Sequence, residues 1–167
     1  ASDEANALLE EAMTLCKNYD AMFSRTKEGS DIYRINHSGG EWTTVSDETI
    51  KLIQSALEYC KMTNGMVDIT IAPVKDLWDF SGNEDVKMPA TADIVSALEH
   101  VDYTFVEIEG GKVRLSDPQS GIDLGFIAKG YIADSVRSFL LERGVKSALL
   151  NLGGNIVVIG EKTDGSA

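Results

Sequence analysis

Apolar residues recur every three to four positions over residues 3–23, where Leu8, Ala12, Leu15, Cys16, Tyr19, Met22 and Phe23 share one stripe. That spacing predicts an amphipathic helix. A second helix is expected after Ser46, a capping residue followed by Asp47 and Glu48 in the dipole-favoured first turn. Ile50, Ile53, Ala56, Leu57 and Cys60 give its buried face, and Asn64-Gly65 ends it. A third helix reads from a cap at Thr91 through Ile94, Val95 and Leu98. A fourth follows Gly125, with Ile132, Val136, Phe139, Leu140 and Arg143 at helical spacing and Gly144 at its stop.

Between these helices the pattern is β-leaning. Residues 42–45, 66–72 and 121–124 read as strands, with Pro73 closing the second. Residues 103–108 and 113–115 make a hairpin around Gly110-Gly111, and residues 147–152 and 155–160 flank Gly153-Gly154. Residues 24–36 form a connector with one helical turn at 32–35, and residues 37–40 a turn. Leu77, Trp78 and Phe80 form an apolar knot suited to packing, followed by a polar loop over 83–90. The expectation is an α+β fold, a single domain over residues 1–167 with helices packed on mixed, mostly antiparallel strands.

Composition narrows the function more than the fold. The chain has 167 residues, 43% hydrophobic and 25% charged, an ordinary globular balance. Its net charge of −12 argues against a nucleic-acid binder, which needs a basic face, and against attraction to anionic lipid. Cys16 and Cys60 lie far apart without metal-type spacing, so they read as free thiols or as a pair that sequence does not decide. No signal peptide or apolar run of membrane-spanning length is present. The chain begins inside a helical pattern and ends in a polar loop, so it reads as trimmed at both ends.

Candidate chemistry gathers at two places. On a strand over 66–72, Asp68 and Thr70 would share one face, as a solvated edge or as a ligand contact. Asp123 would sit where a strand turns through Gly125 into a helix start, a corner able to bind phosphate or hold a hard cation. Lys129 opposes the dipole in that helix's first turn. A bound phosphate would relieve the cost, and an outward solvated lysine is the alternative. Nucleotide-binding glycine fingerprints, zinc-protease motifs and nucleophile elbows are absent from the sequence.

Three ordered motifs carry a resemblance. Asp123-Leu124-Gly125-Phe126-Ile127-Ala128-Lys129-Gly130-Tyr131, with Asp134 and then Asn151-Leu152-Gly153-Gly154-Asn155, is the first. Gly65-Met66-Val67-Asp68-Ile69-Thr70 with Pro73, Leu77, Trp78 and Phe80 is the second. Ser24 with Ser30, Ile32, Arg34, Ile35 and Asn36 is the third. Together they resemble the FAD:protein FMN transferases, the ApbE family.

That resemblance implies an enzyme that splits FAD with Mg2+, passes FMN to a threonine or serine hydroxyl of an acceptor protein and releases AMP. It implies FAD contacts at Thr26, Met66, Val67, Asp68 and Asp123, and a magnesium ligand at the backbone carbonyl of Phe126. Thr26 stands where the family commonly carries tyrosine, so an aromatic stacking partner is lost. Family members continue past this chain's last motif with a histidine and an Asp/Thr magnesium pair, which this sequence lacks. An extracytoplasmic location, secreted or through a lipid anchor outside this chain, follows from the same resemblance. Two other readings are an FAD pyrophosphatase and a flavin-binding module without turnover. A purely structural α+β domain is the reading in which the polar strand faces are merely solvated.

Overall fold

A computed structural model describes residues 3–78 and 88–161. Phe80 of the expected apolar knot and most of the polar loop before Pro89 lie outside the described residues. The chain divides into two compact units, Ala1–Ala21 with Gly125–Ala167, and Met22–Leu124.

The first unit holds most of α1 (Asp3–Phe23), α6 (Ala128–Glu142) and the antiparallel pair β4 (Ala148–Leu152) and β5 (Asn155–Ile159). The expected stripes meet as written. Ala12, Val136, Leu140 and Ile159 are buried together, with Leu15, Cys16, Ile132 and Phe139 packed around them. Gly144 ends α6 at φ +77°, and Gly153 and Gly154 turn the hairpin at φ +62° and +94°, conformations that glycine adopts without a Cβ penalty. Burial pushes the Cys16 thiol up.

The second unit is built on α3 (Asp47–Met62) and a three-stranded antiparallel sheet. In that sheet β3 (Lys112–Leu115) lies between β1 (Thr43–Thr44) and β2 (Val106–Glu109). The β2–β3 hairpin forms at Gly110-Gly111 as expected, with Val106 opposite Leu115 and Ile108 opposite Val113. Its first strand starts only at Val106, because Tyr103–Phe105 form a 3-10 turn in which Asp102 accepts the Thr104 N–H. Ser46 caps α3, its Oγ accepting the Thr49 N–H at 3.2 Å. Asn64 and Gly65 break the helix at φ +52° and +78°.

The buried face of α3 is Thr49, Leu52, Ile53, Ala56 and Cys60, one step round from the expected stripe. Ile50 and Leu57 are only half-buried. The reason is polar: the Thr49 hydroxyl faces inward and donates to Asp31 Oδ2 at 2.7 Å. Asp31 opens α2 (Asp31–Asn36), and its carboxylate also accepts from Ser46 N–H at 2.9 Å, Ser46 Oγ at 2.7 Å and Arg34 at 2.5 Å. Burial would raise the Asp31 carboxyl, but those donors outweigh it and hold it below its usual range.

Three expectations fail. Residues 66–72 are not a strand: they form bends and turns leading into α4 (Ala72–Lys75), with Pro73 in its first turn. Asp68 takes the Thr70 N–H at 2.8 Å, a local bond that offers the backbone a turn in place of a ladder. Pro73 suits a helix start because its missing N–H would have no partner there. Likewise residues 121–124 do not form the expected strand. The stretch over 121–124 makes a single parallel bridge, Gly121 to Ile71. Finally, Thr91 is the first residue of α5 (Thr91–Leu98), and the cap is Ala90, with no side-chain bond. Ala90 is extended, at φ −65° and ψ 144°.

Candidate functional site

Within the second unit, the loop over residues 24–30 is shaped by two serines. Ser24 Oγ accepts the N–H groups of Thr26 at 3.3 Å and Lys27 at 3.1 Å, and Ser30 Oγ donates to the Ser24 carbonyl. Ser30 also caps α2 by accepting the Tyr33 N–H at 3.1 Å. Short hydroxyl side chains thus supply the turn that a more apolar sequence would lack. Thr26 is exposed on this loop, its hydroxyl 3.4 Å from Ser24 Oγ. Its neighbour Arg25 points elsewhere, toward Asp123.

The second segment follows α3. Thr63 Oγ1 accepts the Val67 N–H at 3.1 Å, fixing the bend at Met66 and Val67. Met66 is 91% exposed, and Val67 is half-buried. The Asp68 carboxylate is engaged on both oxygens. Oδ1 accepts from Thr70 N–H at 2.8 Å and Thr70 Oγ1 at 2.6 Å, and Oδ2 accepts the Tyr103 N–H at 2.8 Å. Asp68 and Thr70 are therefore bonded to each other rather than displayed side by side on a strand.

Asp123 joins the pieces. Its N–H donates to the Ile69 carbonyl at 2.8 Å, directly after Asp68. Asn36 clamps the preceding residue from both sides, accepting the Ile122 N–H at 2.7 Å and donating to the Ile122 carbonyl at 2.9 Å. The Asp123 side chain is only 10% exposed, and its Oδ2 receives Lys75 Nζ at 2.6 Å and Arg25 Nε at 3.0 Å. Arg25 Nη1 also meets Asp76 Oδ1 at 2.5 Å. A buried carboxylate is stable only when paired and hydrogen-bonded, and two cations from different segments supply the pairing.

Thr26, Met66, Val67, Asp68 and Asp123 thus lie in one unit on three segments cross-linked near Asp123. Phe126 belongs to the first unit, 51% exposed in the turn that precedes α6. Sequence reasoning missed Arg25, Lys75 and Asn36. Asn36 was legible as a motif position without a role. Arg25 and Lys75 carry no pattern of their own and gain a partner only through folding.

Magnesium calls for near-octahedral oxygen donors. Among the described residues no three His, Cys, Asp or Glu side chains group to hold a metal. One backbone carbonyl at Phe126 does not make a coordination sphere, so the described residues do not fit a resident magnesium by themselves. Elsewhere, His100 Nδ1 pairs with Asp117 at 2.7 Å, and His37 stacks on Tyr33 with ring centroids 3.9 Å apart. Burial would raise the Asp117 carboxyl, but the His100 bond, the Gln119 N–H and the His100 charge outweigh it and hold it low.

Comparison with known proteins places this arrangement. An FAD:protein FMN transferase of Klebsiella pneumoniae (strain 342) is 35% identical over 162 residues, spanning 95% of this chain and 51% of its own. One of Treponema pallidum (strain Nichols) is 29% identical over 167 residues, covering 95% of this chain and 46% of its own. The solved flavin transferase ApbE of Vibrio cholerae superposes with a TM-score of 0.88 at 26% identity, over 99% of this chain and 54% of that one. The ApbE protein of Thermotoga maritima gives 0.87 at 32% identity, over 97% and 54%. The chain spans about half the length of these relatives. The family model that matches it runs over residues 2–167, and with the fold and the motif segments in agreement, the chain belongs to the ApbE family.

Proposed function

We propose that this chain forms the FAD-holding part of a flavin transferase that moves FMN from FAD to a threonine or serine hydroxyl of an acceptor protein. The observation that carries the reading is the cross-linking of the three motif segments around Asp123, through Arg25 to the loop of Thr26 and through the Ile69 carbonyl to the turn of Met66, Val67 and Asp68. In the transfer, the acceptor hydroxyl oxygen forms a bond to the FMN phosphorus as it gives up its proton. The pyrophosphate P–O bond breaks, and AMP leaves with the electron pair.

The chain's own residues would bind and orient. The bend at Met66 and Val67 would lie along the nucleotide. With three donors already on its carboxylate, Asp68 would contribute mainly by holding that backbone in place. Asp123 would accept a hydrogen bond from the nucleotide, and Thr26 would line the rim. Magnesium enters this reading through the family resemblance, with the Phe126 carbonyl as one donor, and no catalytic step is built on it. The same resemblance supports an extracytoplasmic location, which fractionation of the native host tests.

The decisive experiment incubates the protein from its full reading frame with FAD, Mg2+ and a threonine-bearing acceptor. AMP release together with an acceptor mass gain of FMN less water is the expected result. AMP and free FMN without acceptor modification would replace transfer by hydrolysis. FAD binding without AMP would leave a flavin-binding module, and no FAD binding would overturn the reading.

A further inference from the structure

We infer that Lys75 and Arg25 are positioning residues that set the orientation of the Asp123 carboxylate for the nucleotide, an inference that rests on the flavin reading above. Both cations converge on the same oxygen, Oδ2, from opposite parts of the sequence: Arg25 from the loop over 24–30 and Lys75 from the last residue of α4. The Asp123 backbone is already fixed by the Ile69 carbonyl and by the Asn36 clamp on Ile122. Two cationic donors converging on Oδ2 restrict the rotation of its side chain.

Charge counting argues that these cations act through Asp123. Asp123 and Asp76 carry two negative charges against the two positive charges of Arg25 and Lys75. The four-residue group is neutral, so it offers a pyrophosphate no net attraction. Arg25 is further committed because its planar fork is held at both ends, Nε by Asp123 and Nη1 by Asp76. Lys75 is the more adjustable partner, its side chain 41% exposed and its ammonium a compact point charge.

All three of Arg25, Lys75 and Asp76 stand at unspecified positions of the motifs, so the resemblance gives them no part. The geometry assigns them one. It also links the loop that carries Thr26 to the carboxylate that would contact FAD, since Arg25 immediately precedes Thr26.

The test is a double-mutant cycle on FAD affinity, read by calorimetry in the protein from its full reading frame, with ligand-free melts of every variant. Lys75→Met should weaken FAD binding on the order of tenfold, because it takes a charged donor from the buried Asp123 carboxylate. Lys75→Arg, which restores a donor to Oδ2, should recover most of the loss. In an Asp123→Asn background, Lys75→Met should change affinity by less than about twofold, because residues acting as a unit are not additive. Fully additive losses would overturn the inference and make Lys75 a direct nucleotide contact. A lowered melt with unchanged affinity would overturn it in favour of a purely structural ion pair. Failure of the unsubstituted protein to bind FAD would overturn the flavin reading and this inference with it, whereas binding that no variant disturbs would overturn the inference alone.

Discussion

Replacing Asp68 with asparagine removes one negative charge and converts one acceptor oxygen into a donor. The native carboxylate serves three donors, two from Thr70 on Oδ1 and the Tyr103 N–H on Oδ2. An asparagine oriented to satisfy Thr70 turns its NH2 toward the Tyr103 N–H, and the reverse orientation turns it toward Thr70 N–H and Oγ1. Either way a donor in a partly buried site faces a donor. Leaving such a group unsatisfied costs about 1–3 kcal/mol, and the surviving bonds lose their charge assistance. For a chain of this size that lowers the melting temperature by about 2–4 °C per kcal/mol. Urea unfolding followed by tryptophan fluorescence is a direct assay, since Trp42 and Trp78 are the only tryptophans and both lie in the unit that holds Asp68. FAD affinity of the folded variant should change by no more than about threefold, roughly 0.7 kcal/mol. Unchanged stability with a tenfold loss of FAD affinity would refute the reasoning and make the Asp68 carboxylate a ligand contact.

Other expectations follow from buried polar groups. Asp31→Asn should lower stability at pH 7 and flatten its acid dependence. The native carboxyl titrates below the unfolded value of about 3.9, so its contribution is present above that pH and is lost as pH falls through the folded value; urea midpoints at pH 7 and pH 3 check it. Ser120 Oγ is buried without a hydrogen-bond partner among the described residues, so Ser120→Ala should be neutral or stabilising by up to about 1–2 kcal/mol, and a clear loss of melting temperature would contradict this. Cys60 is fully buried, and burial pushes its thiol up, so a thiol reagent should reach it only on unfolding; native-state labelling with peptide mapping reads this out.

The fold was legible where one physical signal acted alone. The α6 stripe, its glycine stop and the β4–β5 hairpin follow from apolar spacing and from φ values that glycine adopts freely. The pattern misled where side chains compete with the backbone. Residues 66–72 have strand-like composition, yet Asp68 bonds Thr70 and Pro73 starts a helix, and local polar bonds of this kind are invisible to hydropathy. The inward face of α3 was displaced for the same reason, because Thr49 is buried by its bond to Asp31, eighteen residues away in sequence.

The site divides along the same line. Asp123, Asp68, Met66 and Val67 were visible because they stand in an ordered motif, and a motif marks positions without stating what each one does. Folding separates the roles: Asp68 spends its carboxylate on a turn, whereas Asp123 is held by charges that no spacing rule connects to it. Arg25 lies 98 residues and Lys75 48 residues before Asp123 in the sequence. A pairing at such separations depends on the path of the whole unit, chiefly on Asn36 drawing Ile122 against α2 and on the Ile69 carbonyl receiving Asp123. Buried charge forces the partner to exist, since an unpaired carboxylate at that depth would cost several kcal/mol. Only the three-dimensional path says which cation it is. Substitutions at Arg25 and Lys75 therefore probe the part of the site that sequence could demand but could not name.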